Sequence, residues 1–230
     1  MTAARRGAQR LTRKERQQQT RTCLMRSAVR VFARRGMVHG SIDEVAAEAG
    51  YTKGAFYANF ASKEELFLAM LDERFSERLS QLERLTATGA DIEDQAREAG
   101  DDFSSYLAAD VDWQRLFFEF VMHASRDEGF RAQLVSRNRT LRQGMAALFA
   151  KRIETLELPS PVPVEELAVM TFAMANGFAL ERLLEGDAAS DDLYGRMLAI
   201  FFAGLRATAE LQHEQAVQQD VGPSEADHPR

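Results

Sequence analysis

The stretch SIDEVAAEAGYTKGAFYANFASKEEL, residues 41–66, constrains this chain more than any other segment. Ser41 is a good helix N-cap, and Glu44 three residues on completes a capping box, each side chain bonding the other residue's backbone N–H. Ser62 with Glu65 repeats the signature, opening a second, longer helix. Between them Gly50 and Tyr51 form a tight turn, and Thr52 caps a short helix over about 53–60. Ile42, Val45, Ala46 and Ala49 make the inner face of the first of these helices, while Phe56 and Phe60 turn to the core. What is left outside on the short helix is Gly54, Ala55 and Tyr57. Helices joined this way, with the preceding helix over 12–35, form a helix-turn-helix.

The rest of the chain is helical by pattern as well. Leu24, Ala28, Val31 and Phe32 fall at i, i+4, i+7 and i+8, a single apolar stripe, and Gly36 ends that first helix. The fourth helix runs through Leu66, Met70 and Phe75 to about 86. Further helices are predicted over 91–109, 112–126, 129–156, 163–184 and 190–213. Three of the five prolines lie in the connector 158–164, and Pro163 suits a first helical turn. Asp191 and Asp192 suit the dipole at the start of the last helix. No alternating strand pattern or internal repeat is visible. The fold class expected is all-α with about nine helices. A basic, disordered arm (1–13) leads into a helix-turn-helix domain (14–62), a larger helical domain (63–213) and a polar, disordered tail (214–230).

Net charge is −6 over 230 residues, which by itself argues against a nucleic-acid partner. The distribution argues the other way. Residues 1–63 carry 13 basic and four acidic side chains, net +9, and the remainder carries 16 basic and 31 acidic, net −15. Asymmetry of that size joins a nucleic-acid-binding segment to something else. The one cysteine, Cys23, excludes an intrachain disulfide and a cysteine metal cluster and fits a reducing cytoplasm. The N-terminus has no apolar core and is not a secretory signal. The longest uncharged apolar run, 168–180, is too short to span a bilayer and reads as a buried helix. The expected setting is cytoplasmic, with no membrane partner.

A helix that enters a groove about 12 Å wide needs low bulk on its leading face. Gly54 and Ala55 supply it and let backbone amides approach phosphates. Thr52, Lys53 and Tyr57 can donate to phosphate oxygens, Lys63 can grip the same backbone, and Asn59 can meet a base edge or a phosphate. These residues also carry a resemblance. Residues 18–78, with the motif at 41–60, resemble the tetracycline-repressor-like (TetR) family of bacterial transcription regulators. The matching positions are Ala28, Phe32, Gly36, Ser41, Ile42, Val45, Ala46, Ala49, Gly50, Thr52, Lys53, Gly54, Tyr57, Phe60, Lys63 and Leu66. The resemblance implies DNA contacts at Ser41, Thr52, Lys53, Gly54, Ala55, Tyr57, Asn59 and Lys63. Tyr51, Ala55 and Ala61 depart from the family's usual aliphatic, hydroxyl and proline. Alanine at 55 limits base readout there to apolar contact with a thymine methyl. The basic arm either enters the minor groove or is solvated disorder.

In such regulators the remaining helices bind a small effector and dimerise. The residues support this independently. In the last helix Leu193, Met197, Ile200, Phe201, Gly204, Leu205 and Thr208 form one apolar stripe, and Tyr194, Leu198 and Phe202 another. A helix apolar nearly all round needs burial on both sides, so 164–185 and 191–212 are expected to pack into a two-fold four-helix bundle. Two reading helices about 34 Å apart then match successive turns of a palindromic operator. The middle helices are rich in aromatic residues (Phe103, Tyr106, Trp113, Phe117, Phe118, Phe120, Phe130, Phe149, Phe172, Phe178), most of which read as ordinary core, with some lining a cavity. The residues expected to line an apolar effector cavity are Phe103, Tyr106, Trp113, Phe117, Phe120, Val121, Met145, Phe149, Met174 and Phe178, with His123, Gln143 and Asn176 as candidate polar groups.

Catalysis has little support. No Gly-rich phosphate loop or nucleophile elbow appears. Glu119 and His123 sit one turn apart, but a surface pair explains them better than a metal site. No enzyme activity, metal or cofactor is expected. The function expected is a DNA-binding repressor released by a small hydrophobic effector. Its competitors are an activator of the same fold, a helical carrier or enzyme with an incidental basic N-terminus, and a protein-binding adaptor.

Overall fold

The computed structural model describes residues 12–87, 91–156, 160–186 and 189–220. The basic arm through residue 11 and the tail from 221 lie outside them. Nine α-helices and no strand occur among the described residues. They are α1 (Arg13–His39), α2 (Ile42–Glu48), α3 (Lys53–Tyr57), α4 (Lys63–Thr86), α5 (Ile92–Ala109), α6 (Val111–Ala124), α7 (Glu128–Leu156), α8 (Val164–Leu184) and α9 (Leu193–Asp220). All-α architecture follows from the 3.6-residue apolar period and the concentration of prolines in one connector.

Most boundaries fall where the capping residues put them. Two do not. α1 is continuous with residues 37–39, but Gly36 at φ 74° and ψ 161° breaks its path, so the helix bends at the position expected to end it. α9 runs on to Asp220, beyond the 213 expected. The stretch 214–220 contains no Gly or Pro, so nothing in it stops a helix already under way. A further capping box, Thr12 with Glu15, starts α1. Its T-x-x-E signature is present in the sequence.

The chain divides into two compact units: Met1–Glu73 with Asp112–Leu134, and Arg74–Val111 with Val135–Arg230. The boundary thus falls inside helices α4 and α7 rather than in a linker.

The first unit is built around stacked aromatic rings. Phe67 on α4 lies parallel to Phe120 of α6 at 3.9 Å between centroids and nearly parallel to Trp113 at 5.5 Å. Phe130 of α7 meets both phenylalanines edge-on, and Phe32 of α1 meets Phe120 in the same way. Phe67 and Phe120 have essentially no exposed surface. Trp113 and Phe120, expected to line an effector cavity, therefore belong to this core. The periodicity that marked them as buried cannot say which core they enter.

In the second unit α5 crosses α9 at backbone contact. A Cβ on Gly100 would lie 2.2 Å from the Cα of Gly195, and one on Gly195 would lie 2.8 Å from the carbonyl oxygen of Arg97. Around the crossing Tyr194 packs on Phe103 and Phe178, each at 5.0 Å. Burial pushes the Tyr194 phenol well above its ordinary pKa, keeping it neutral. Its hydroxyl donates to Thr171 O at 3.4 Å. Arg78 spans to Asp102 at 2.7 Å, Arg206 reaches Glu93 at 2.6 Å, and Arg74 binds Tyr106 and Asp110.

α8, at 21 residues, is long and apolar enough to cross a bilayer, yet most of its surface is not buried within the chain. One face is buried within the chain, through Leu167, Ala168, Thr171, Phe178 and Ala179. Val169, Met170, Leu180 and Leu184 are exposed along it, and Ile200 of α9 is 73% exposed. Tyr194 and Leu198 on the other stripe of α9 are buried.

Gly100→Ala is expected to destabilise the protein by about 2 kcal/mol or more, since a methyl group forced between two backbones is an overpacking defect with no flexible neighbour to yield. Urea unfolding followed by circular dichroism measures it, and a midpoint unchanged from wild type would contradict the crossing.

Candidate nucleic-acid interface

α2, α3 and the turn between them stand on α1 through specific contacts. Val45, Ala46, Phe56 and Phe60 are buried beneath them. Ser41 Oγ accepts from Glu44 N at 3.1 Å, and Ser41 N donates to Glu44 Oε2 at 2.9 Å, the full capping box. Gly50 takes φ 75°, a left-handed conformation that side chains disfavour. That bend lets the amides of Gly50 and Tyr51 donate back to Ala47 O at 3.0 Å and Ala46 O at 2.8 Å. Thr52 Oγ1 then accepts from Ala55 N at 3.1 Å and starts α3. At the far end Arg21 of α1 donates to Asn59 O at 2.6 Å and lies 4.2 Å from the centre of the Phe60 ring. α3 is thereby held at both ends. The Arg21 contact spans 38 residues and has no local sequence signal.

Thr52, Lys53 and Gly54 are exposed, Ala55 is half-buried, and Tyr57 is 51% exposed. A Cβ on Gly54 would meet only Thr52 Oγ1, at 3.7 Å, so the face is low and open. Tyr57 packs edge-on against Phe56 at 5.6 Å, which fixes the ring and leaves the hydroxyl outward.

Beyond the capping roles of Ser41 and Thr52, three more of the expected contact residues are engaged within the chain. Lys53 Nζ lies 3.0 Å from Asp43 of α2, and that hydrogen-bonded carboxylate raises the ammonium's pKa. Asn59 Nδ2 donates to Ala55 O at 2.8 Å, closing the end of α3 rather than offering a free amide. Lys63 Nζ donates to Met37 O at 3.1 Å. Ser41 is half-buried in its capping box.

The acidic residues of this unit are largely matched by its own bases. Glu48 bridges Arg30 at 2.8 Å and Arg34 at 2.6 Å, and Glu44 reaches Arg35 at 3.2 Å. Such exposed pairs orient side chains more than they stabilise. The Ser41 backbone N–H, then the Ser41 hydroxyl and Arg35, hold the Glu44 carboxyl below its ordinary pKa. Arg30 and Arg34 do the same for Glu48.

The residues expected to bind an effector fall into two sets. Trp113, Phe117, Phe120, Val121 and His123 belong to the unit that carries α1–α3, and Phe103, Tyr106, Met145, Phe149, Met174, Asn176 and Phe178 to the other. His123 Nε2 lies 3.5 Å from Glu64 and its ring 5.5 Å from that of Phe130. Glu119 instead accepts from Met37 N at 2.5 Å, so the two do not converge on a common point. In the second unit Phe149 meets Phe202 at 5.9 Å, and Arg142 lies 5.9 Å from the Phe172 ring. Gln143 is exposed.

A capped pair of short helices, the second presenting a low face flanked by hydroxyls and a lysine, defines a helix-turn-helix DNA-binding protein. Comparison with known proteins narrows that class. Residues 24–70 match the family of bacterial regulatory proteins named for tetR, and residues 93–207, half of the chain, match the C-terminal domain of BetI-type transcriptional repressors. The chain belongs to the TetR family of transcriptional regulators. It is 36% identical over 110 residues to the transcriptional activator FasR of Mycolicibacterium smegmatis, a match spanning 48% of each chain. It is 26% identical over 203 residues to the transcriptional repressor BepR of Brucella suis, covering 84% of this chain and 95% of that one. Among solved structures, FadR from Bacillus subtilis in complex with stearoyl-CoA shares the fold, with a TM-score of 0.66 at 15% identity over 81% of this chain and 98% of that one.

Folding of this head is expected to be acid-sensitive. Carboxyls whose pKa is depressed on folding stabilise the native state above their unfolded pKa, and that contribution disappears as pH falls through the folded value. For Glu44 and Glu48 the loss begins below the ordinary 4.5. Glu44→Ala is therefore expected to melt below wild type at neutral pH, with the gap narrowing by about pH 3. A gap independent of pH in thermal melts would contradict it.

Proposed function

We propose that this regulator is a repressor that binds a palindromic operator as a two-fold dimer and leaves it when a small hydrophobic effector binds. The observation that carries DNA reading is the exposed face of α3, where Thr52, Lys53, Gly54 and Tyr57 stand clear of the core. Tyr57 and Thr52 supply hydroxyl donors for phosphates, and Gly54 permits close approach of the backbone. Lys53 exchanges Asp43 for a phosphate at little cost, because an exposed ion pair contributes little. Ala55 and Asn59 sit behind this face, Ser41 and Lys63 at its flanks, completing the proposed contact set.

Dimerisation is supported by what α8 and α9 leave uncovered. Val169, Met170, Leu180 and Leu184 on α8 and Ile200 on α9 are exposed, and a Cβ on Gly177 or Gly204 would meet nothing within 4 Å. A partner helix could approach closely at those glycines. The proposed interface is therefore 164–185 with 191–212 of each protomer.

The effector is proposed to sit in the second unit, where Phe103, Tyr106, Met145, Phe149, Met174, Asn176 and Phe178 are at least partly buried. An aromatic interior favours a ligand with a substantial apolar part, and the stearoyl-CoA bound by FadR is of that kind. Release then follows from population shift, the effector favouring a head spacing that does not match the operator. The 36% identity to an activator supports a second reading, in which the same DNA binding raises transcription.

Fluorescence anisotropy on duplex DNA flanking the protein's own gene, over a salt series with random DNA as control, tests the reading. Tight, specific binding is expected. Tyr57→Phe with Lys53→Ala should lower affinity on all sequences and make the salt slope shallower by about one per lost phosphate contact. Saturating long-chain acyl-CoA should weaken binding. No binding at low salt would remove the DNA-reading assignment. A separate sedimentation measurement tests the interface: wild type is expected as a dimer, and Leu184→Glu with Ile200→Glu as a monomer. A double variant that stays dimeric would place the interface elsewhere.

A further inference from the structure

The backbone of Met37 is held on both sides, at its N–H and at its carbonyl, by charged side chains from other helices. Its N–H donates to Glu119 Oε2 of α6 at 2.5 Å, and its carbonyl accepts from Lys63 Nζ of α4 at 3.1 Å. Met37 sits directly after the kink at Gly36, whose φ of 74° and ψ of 161° lie in a region essentially reserved for glycine. A side chain at 36 would also point towards Glu119, its Cβ 3.6 Å from Oε2. Four residues after Met37, Ser41 caps α2. The course of the chain from 36 to 41 therefore sets where α2 and α3 begin.

We infer that Glu119 is a positioning residue for DNA reading: by fixing the Met37 backbone it sets the orientation in which α2 and α3 are presented. The inference rests on the assignment of α2 and α3 as the DNA-reading pair. Glu119 itself carries a negative charge and touches no expected DNA contact residue among the interactions described. On charge alone its removal should favour DNA binding, since the duplex is a polyanion. Positioning requires the opposite sign, and the two accounts separate cleanly.

Three variants isolate the hydrogen bond from the charge. Glu119→Gln keeps an acceptor of the same reach and loses the charge. Glu119→Asp keeps the charge and withdraws the oxygen by one methylene. Glu119→Ala loses both. The probe is a duplex enriched from a randomised library by the full-length wild-type protein, compared with a scrambled duplex of the same length. Anisotropy should show Glu119→Gln within about twofold of wild type on the enriched duplex, and Glu119→Asp and Glu119→Ala at least tenfold weaker, with the scrambled duplex unaffected. Hydrogen exchange of the peptide containing Met37 should accelerate in the Asp and Ala variants and not in Gln. Thermal melts establish that each variant is folded, and Glu119→Asp with the exchange measurement carries the test if Glu119→Ala is not. Asp and Ala variants that bind the enriched duplex as tightly as wild type, Gln as weak as Ala, or equal losses on both duplexes would overturn the inference. A wild-type protein that yields no enriched duplex would overturn the DNA-reading assignment itself.

Discussion

The face-to-face contact of Phe67 with Phe120, 3.9 Å between ring centres, is the interaction on which the reading head depends. α2 and α3 are seven and five residues long, too short to persist alone in water. Their order comes from what lies beneath them. Phe67 sits in α4, directly downstream of the head, and its stacking on Trp113 and Phe120 with the edge-on contact of Phe130 brings α4, α6 and α7 into one core that also takes in Phe32 of α1. Burying a ring on all sides is worth several kcal/mol, far more than the caps and exposed ion pairs around it. Those weaker contacts decide direction instead: Arg21 and Thr52 place the two ends of α3, and Glu44 with Ser41 places the start of α2.

Much of this was legible in the sequence because it is local. Ser41–Glu44, Gly50 and Thr52 act within four residues of themselves, so their spacing alone determines a turn or a helix start. The open face of α3 followed from Gly54 and Tyr57 being unsuited to a core position beside Phe56 and Phe60. Non-local partners were not legible. Nothing near Arg21 announces Asn59, and nothing near Glu119 announces Met37, which is 82 residues away. The same limit explains Trp113 and Phe120. An aromatic residue at helical spacing is recognisably interior, but whether its neighbours are another helix of the head or the lining of a ligand site depends on tertiary contacts. Lys63 and Asn59 illustrate the converse, since polar groups that look free along the chain find backbone carbonyls in the fold.

The charge asymmetry acquires a structural meaning in the same way. The head's excess of bases is not a uniform positive surface. Arg30, Arg34 and Arg35 are drawn onto Glu44 and Glu48, and Lys53 onto Asp43. In the second unit arginines such as Arg78 and Arg206 are likewise matched by carboxylates. There Arg78 also lies over the Phe103 ring, 5.2 Å from its centre.

The crossing of α5 and α9 at Gly100 and Gly195 bears on how such a protein can change over generations. Where helices are kept apart by side chains, a larger residue on one can be accommodated by a smaller one on the other, and the pair can drift together. Here the contact is backbone on backbone, with less than the width of a methyl group between Gly100 and Gly195, so no compensating substitution exists. Phe103, Phe178 and Tyr194 around it are under no such restriction, since their sizes can be traded among themselves. The domain can thus acquire a differently shaped interior while the two helices that frame it stay in register.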